Sequence, residues 1–196
     1  RCIHEKWSDR KRLDDYAARP GIVALGETGL DYHHPRQEQQ RRKQYLWFLY
    51  QLHLARKHKL PLVLHIRDAD WDAIRVLKLY QPKYGGVVHC CGEGWEYISE
   101  YLKLGLHIGI GGVLLNPARN AELKAAVPQI PLERILVETD CPYMAPVPLR
   151  GKRCEPAFVT HTLAKAAAIR NAAPDAFAAQ VYENSLRAFG LQDAME

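Results

Sequence analysis

Four residues of this chain carry side chains of the kind that hold divalent cations, and each sits where an apolar run gives way to polar sequence. Glu27 follows Val23-Ala24-Leu25-Gly26, His65 follows Pro61-Leu62-Val63-Leu64, His89 follows Gly86-Val87-Val88, and Asp140 follows Leu136-Val137-Glu138-Thr139. Two imidazoles and two carboxylates suit borderline cations such as zinc or manganese, and the oxygen donors also admit magnesium. In a hydrolytic two-metal site a bridging carboxylate holds the ions about 3.5 to 4 Å apart, so that a shared water ionises near neutral pH and attacks in line. A single histidine at a strand end is more often a hydrogen-bonded loop residue. Four such groups at the same relative position carry the metal reading.

For these groups to meet, the strands that carry them must run parallel, because only then do their carboxyl ends open on one face. The hydrophobic pattern supplies such strands over 22–25, 62–64, 87–88, 106–110 and 135–137. Between and after them, helical periodicity runs over 36–59, 69–80, 94–104, 120–127, 155–169 and 175–189, as in Trp71, Ile74 and Leu77. Pro174 fits a helix start and Gly190 a helix stop. Strand-helix alternation with nearly continuous apolar strands predicts an α/β fold with a buried parallel sheet, either an open doubly wound sheet or a closed barrel. The proline-rich stretch 142–148 reads as a loop, so no internal domain boundary is expected.

Composition narrows the alternatives. The chain has 196 residues, 47% hydrophobic and 25% charged, which excludes disorder and fibrous folds. A net charge of +5 tolerates an anionic substrate without forming a bulk nucleic-acid coat. Five irregularly spaced cysteines form no disulfide framework and no CxxC pair, which places the chain in a reducing cytoplasm. No apolar stretch reaches the roughly 18 to 20 residues of a membrane span. The glycine runs at 26–29 and 109–112 match neither the dinucleotide fingerprint nor the P-loop, so no nucleotide cofactor is expected.

Five ordered segments together carry a family resemblance: Gly26-Glu27-Thr28-Gly29-Leu30-Asp31-Tyr32, Leu64-His65-Ile66-Arg67-Asp68-Ala69, Gly86-Val87-Val88-His89-Cys90, Val137-Glu138-Thr139-Asp140-Cys141-Pro142-Tyr143-Met144-Ala145-Pro146, and Arg150-Gly151-Lys152-Arg153-Cys154-Glu155-Pro156. In order and spacing they resemble the TatD-type metal-dependent deoxyribonucleases. The resemblance implies a TIM-like (β/α)8 barrel related to the amidohydrolases, with a two-metal site. It implies that Glu27 bridges the metals, that His65 and His89 complete the second site, and that Asp140 binds the first. The family's first metal also uses an HxH pair after the first strand, which this chain lacks. His4 reads as a loop histidine rather than a substitute.

Only five or six strands are countable, which falls short of a closed barrel. The expectation is therefore one hydrolase domain over 1–196 whose N-terminal part, roughly 60 to 70 residues at ordinary barrel economy, is absent. The first metal site is then incomplete and the exposed sheet edges favour oligomers. The expected partner is DNA, single-stranded, cleaved at phosphodiester bonds by an exonuclease. Glu27 and Asp140 act catalytically, and Arg67, Arg150 and Arg153 contact phosphate because a guanidinium fork matches its oxygens. Two other outcomes are a hydrolase of esters or amides, such as a D-aminoacyl-tRNA ester, and a catalytically incomplete fragment. Glu138 shares a face with Asp140 by the period of a strand and is expected to orient a metal-bound histidine. Asp31, Tyr32 and Asn116 are assigned to the rim, His33 and His34 to a polar loop near substrate, and Tyr45, Trp47, Phe48 and Tyr50 to core or interface.

Overall fold

The structure, a computed structural model, describes residues 7–33, 38–115 and 120–192. His4, His34 and Asn116 lie outside the described residues. Five strands, β1 (Leu25–Asp31), β2 (Leu62–Arg67), β3 (Gly86–Val88), β4 (His107–Ile110) and β5 (Ile135–Val137), form one sheet in the order of the chain, every pair parallel. A doubly wound sheet reverses its strand order at a switch point, and none exists here, so the sheet follows the barrel alternative. The helices are α1 (Arg10–Ala17), α2 (Glu38–His58), α3 (Asp70–Tyr80), α4 (Trp95–Lys103), α5 (Ala121–Ala126), α6 (Val159–Ile169) and α7 (Pro174–Phe189).

The strands are buried on both faces, as parallel strands require. Leu62, Leu64, Val88, Ile108 and Ile110 join the main core with helix residues Phe48, Ile74, Leu77, Ile98 and Phe177. Val63, Val87 and Leu136 pack on the opposite side against Ala188 and Phe189 at the end of α7. Full burial of each large aliphatic side chain contributes roughly 1.5 to 3 kcal/mol. Asn184, also in α7, is completely buried and donates from Nδ2 to the carbonyls of Leu132 (2.7 Å) and Ile135 (2.9 Å), which fixes this helix to the start of β5.

The first strand departs from the expected 22–25. Ile22 and Val23 are 42% and 41% exposed, and the ladder begins where the apolar run ends, with Leu25 opposite Leu62. Gly, Glu and Asp are poor strand formers, so β1 is held by its surroundings. Gln44 of α2 accepts from the Asp31 backbone N–H (2.7 Å) and donates to the Asp31 carbonyl (2.9 Å), taking the place of a neighbouring strand. Thr28 donates to Gln51 of the same helix at 2.6 Å. Likewise β2 continues to Arg67, so Glu27 and His65 lie within strands rather than after them.

Further differences follow from burial. Trp71 fits the periodicity of α3, yet Ile74 and Leu77 are buried while Trp71 is 45% exposed. In the aromatic run of α2, Trp47 and Phe48 are buried and Tyr45 is exposed. The last two helices start near the expected positions, α6 following a single 3-10 turn at Pro156–Phe158.

No helix was expected before residue 20. The α1 helix buries only Ala17, and polar links attach it to α2. Asp14 receives Lys57 Nζ at 2.6 and 2.8 Å and His58 Nε2 at 2.6 Å. Hydrogen bonds from Lys57 and then His58 outweigh desolvation and hold the Asp14 carboxyl below its ordinary value of 3.8. A depressed folded pKa gives stability that is present above the unfolded value and lost as pH falls through the folded one. Asp14→Asn should therefore cost less than about 1 kcal/mol at pH 7, with the difference vanishing in strong acid, as thermal melts at the two pH values would record.

Candidate metal centre

The carboxyl ends of the strands open on one face, and there the ligand-type side chains meet. Glu27 reaches that face through a break in the ladder. Gly26 pairs with Val63 and Thr28 with Leu64, leaving Glu27 as the extra residue of a bulge. Such a bulge re-aims a side chain without ending the strand. His89 directly follows β3 and Asp140 lies just beyond β5.

His89 Nε2 stands 3.8 Å from Glu27 Oε1 and 3.6 Å from Asp140 Oδ1. Ligand atoms of these three residues all fall within 4.8 Å of one another. The other imidazole nitrogen, Nδ1, donates to Glu138 Oε2 at 2.7 Å. With Nδ1 held by Glu138, Nε2 is the nitrogen directed at two carboxylates, at distances too long for hydrogen bonds. Donors that share one cation at about 2.0 to 2.2 Å are separated by gaps of this order, and a positive charge between them relieves the repulsion. The donor set therefore fits a divalent ion. Burial works to lower the pKa of His89, but the hydrogen bond and charge of Glu138, with Glu27 and Asp140, raise it overall.

His65 occupies a second position beside Glu27. Its Nδ1 lies 3.6 Å from Glu27 Oε2 and its Nε2 donates to Asp31 Oδ2 at 3.1 Å. Asp31 thus orients His65 rather than simply lining the rim. Desolvation opposes ionisation of Asp31, but the hydrogen bonds from His65 and the His33 backbone prevail and its pKa is lowered. Gly29 permits this approach of β1 to β2: a Cβ there would lie 2.1 Å from the His65 carbonyl oxygen.

Glu138 has a second anchor in the Cys90 backbone N–H, so its carboxylate braces the loop that carries His89 from two directions. Gly109 of β4 leaves room for it, since a Cβ at that position would come within 2.8 Å of Glu138 Oε1. The pairing of Glu138 with a site histidine matches the positioning role expected from strand period. The neighbouring thiols offer no nucleophile: burial drives the pKa of Cys90 far upward and that of Cys91 up to about 12.

A cavity of about 530 Å³ opens over these groups, lined among others by His65, His89, Asp140, Arg67 and Arg150. Two of the three arginines expected at phosphate therefore reach the cavity, whereas Arg153 is exposed and is not among its lining residues. Asp70 is turned away from Arg67 and accepts from the buried Tyr101 hydroxyl at 2.7 Å. His33 pairs with Asp68 at 2.8 Å.

A family model described as TatD related DNase matches residues 2–190. The chain belongs to the TatD family. It is 38% identical over 183 residues to the uncharacterized metal-dependent hydrolase YcfH of Escherichia coli strain K12, covering 92% of this chain and 66% of that protein. It is 37% identical over 184 residues to the 3′-5′ ssDNA/RNA exonuclease TatD of Rahnella sp. strain Y9602, covering 91% and 69%. The crystal structure of the TatD homolog YJJV from Escherichia coli K12 superposes with a TM-score of 0.88 at 28% identity, covering 95% of this chain and 71% of that one. A TatD family hydrolase from Entamoeba histolytica gives 0.82 at 26% identity, covering 96% and 70%. This TatD-family chain thus spans slightly under two thirds of the length of YcfH. No helix among its described residues is long and apolar enough to cross a membrane.

One acid of the cavity had no distinguishing mark in the sequence. Glu93 lines it, and burial together with the charges of Asp70, Asp68 and Glu122 pushes its pKa up to about 7. Those acids come from separate elements, so only the folded chain assembles them. A carboxyl whose folded pKa is raised favours the native state below its unfolded pKa, and that contribution is lost as pH rises through about 7. Glu93→Gln should accordingly stabilise the protein at pH 8 by about 1 kcal/mol, after allowance for solvent screening, with the gain disappearing near pH 4 in parallel denaturant titrations.

Proposed function

We propose that this chain is a divalent-metal-dependent hydrolase of phosphodiester bonds in DNA, acting on single strands as an exonuclease. The observation that carries the reading is the Glu27, His89 and Asp140 group at the mouth of the parallel sheet, with two arginines in the same cavity. In this reading Glu27, His89 and Asp140 would hold one cation, and His65, on the other side of Glu27, would contribute to holding a second. Magnesium, manganese or zinc held there would lower the pKa of water and offset negative charge on the scissile group. The names of the exonuclease relatives favour a nucleic acid substrate over an ester or amide.

The protein's own groups divide the work. Glu138 holds the proton on His89 Nδ1 and keeps Nε2 free as a donor. Asp31 performs the same service for His65. Arg67 and Arg150 supply planar forks to the phosphate oxygens and help stabilise the charge that builds on them. Asp140, whose Oδ1 lies 3.6 Å from His89, would accept through its other oxygen the proton of the water that attacks phosphorus, as the P–O bond to the leaving nucleoside oxygen breaks and that oxygen takes up a proton from solvent. The reading also extends to association through the outer edge of β5, which pairs with no further strand among the described residues.

The purified chain should release nucleotides from single-stranded DNA in magnesium or manganese, lose that activity in EDTA, and leave a D-aminoacyl ester intact. Asp140→Asn should lower the rate by at least about 100-fold, since it removes both a ligand and a proton acceptor. Calorimetric titration should show weaker cation binding at every site in Glu27→Gln, because its carboxylate faces both histidines. Metal-dependent turnover of the ester alone would move the assignment to carbonyl chemistry. Absence of metal binding and of any turnover would mark the chain as incomplete.

A further inference from the structure

Beyond the cavity, its rim carries three aromatic rings that the metal chemistry does not use. Trp71 lies in the first turn of α3, and Trp95 and Tyr97 in the first turn of α4. Both helices begin where β2 and β3 finish, so both first turns stand at the mouth of the sheet beside the cavity residues Asp68 and Glu93. Trp71 is 45% exposed, a large apolar surface to leave in water. Its ring lies 5.1 Å from that of Tyr97 at an interplanar angle of 57°. The two helices are tied together by the buried hydrogen bond from Tyr101, further along α4, to Asp70 at the start of α3, so the ring pair stands on helices already joined to one another. Tyr97 also walls a separate cavity of about 300 Å³ with Trp95 and Gln129.

Charge determines what such a surface accepts. Arg67 and Arg150 line the main cavity, whereas Glu96 and Glu122 line the second cavity with Trp95 and Tyr97, and Asp72 follows Trp71 in the first turn of α3. A phosphate backbone is repelled from the aromatic side, while a neutral base is not, and the π-face of any base stacks on an aromatic ring. Resting on the DNA reading above, we infer that Trp71 and Tyr97 form a stacking platform for a nucleobase adjacent to the phosphate in the cavity. Trp71 is then a positioning residue, and the platform is indifferent to base identity.

Binding measured in EDTA separates this inference from catalysis. Labelled (dT)5 and a pentamer of abasic tetrahydrofuran nucleotides would be titrated with wild type, Trp71→Ala and Trp71→Phe, each checked for its melting temperature. Wild type should prefer (dT)5 to the abasic strand by roughly tenfold, the magnitude of a single aromatic stack. Trp71→Ala should lose that preference while keeping its abasic affinity, and Trp71→Phe should regain most of it. Should Trp71→Ala fold poorly, the wild-type preference and the Trp71→Phe titration decide. Equal wild-type affinity for both strands, or equal losses on both in Trp71→Ala, would overturn the platform while leaving the DNA reading standing. Failure of wild type to bind either strand in EDTA would overturn the platform, while the DNA reading is decided separately by nucleotide release in magnesium or manganese.

Discussion

An imidazole nitrogen set 3.6 to 3.8 Å from two carboxylates, as His89 Nε2 is, favours positive charge at that point, carried by a proton on the ring or by a cation between the donors. That confrontation around His89 organises much of this molecule. It requires three strands to end at one level, which parallel pairing provides, and it requires the ring to be prevented from rotating away. Glu138 performs the second task by accepting from Nδ1 and from the Cys90 backbone at once. The sheet, the loop and the brace thus act together to hold the two carboxylates and the imidazole close to one another.

The same mouth is electrically divided. Arginines enter the cavity from β2 and from the loop beyond β5, while Asp68, Glu93 and the aromatic residues occupy the rim over α3 and α4. A bound polymer with anionic and neutral faces would be oriented by that division before any specific contact formed. Glu93, whose pKa is displaced to about 7 by burial and then by its acidic neighbours, belongs to the acidic half.

The parts legible in the sequence are those decided by a local pattern. Leu62, Val63 and Leu64 announce a buried parallel strand because every side chain is apolar, and the convergence of Glu27, His89 and Asp140 is legible from residue type and the parallel arrangement. Glu138 was legible because strand period places it beside Asp140. The first strand was misplaced because Gly-Glu-Thr-Gly-Leu-Asp has little strand propensity; its conformation is imposed by β2 and by Gln44, far along the chain. Helix α1 carries no such pattern since its attachment is polar, and the spacing of Trp71, Ile74 and Leu77 identifies a helix face without saying how far each residue on it is covered. Asp31 and Glu93 owe their roles to partners on other elements, which no spacing reveals.

Gly109 occupies the strand between the two that Glu138 joins, and the carboxylate passes where a side chain would otherwise be. Its immediate neighbours, Ile108 and Ile110, face the main core and answer to volume. Adjacent positions of one short strand are thus subject to unrelated selection. Drift at the outward pair is felt through foldedness, whereas even one methyl at the glycine wedges apart the support of the histidine while leaving the core intact.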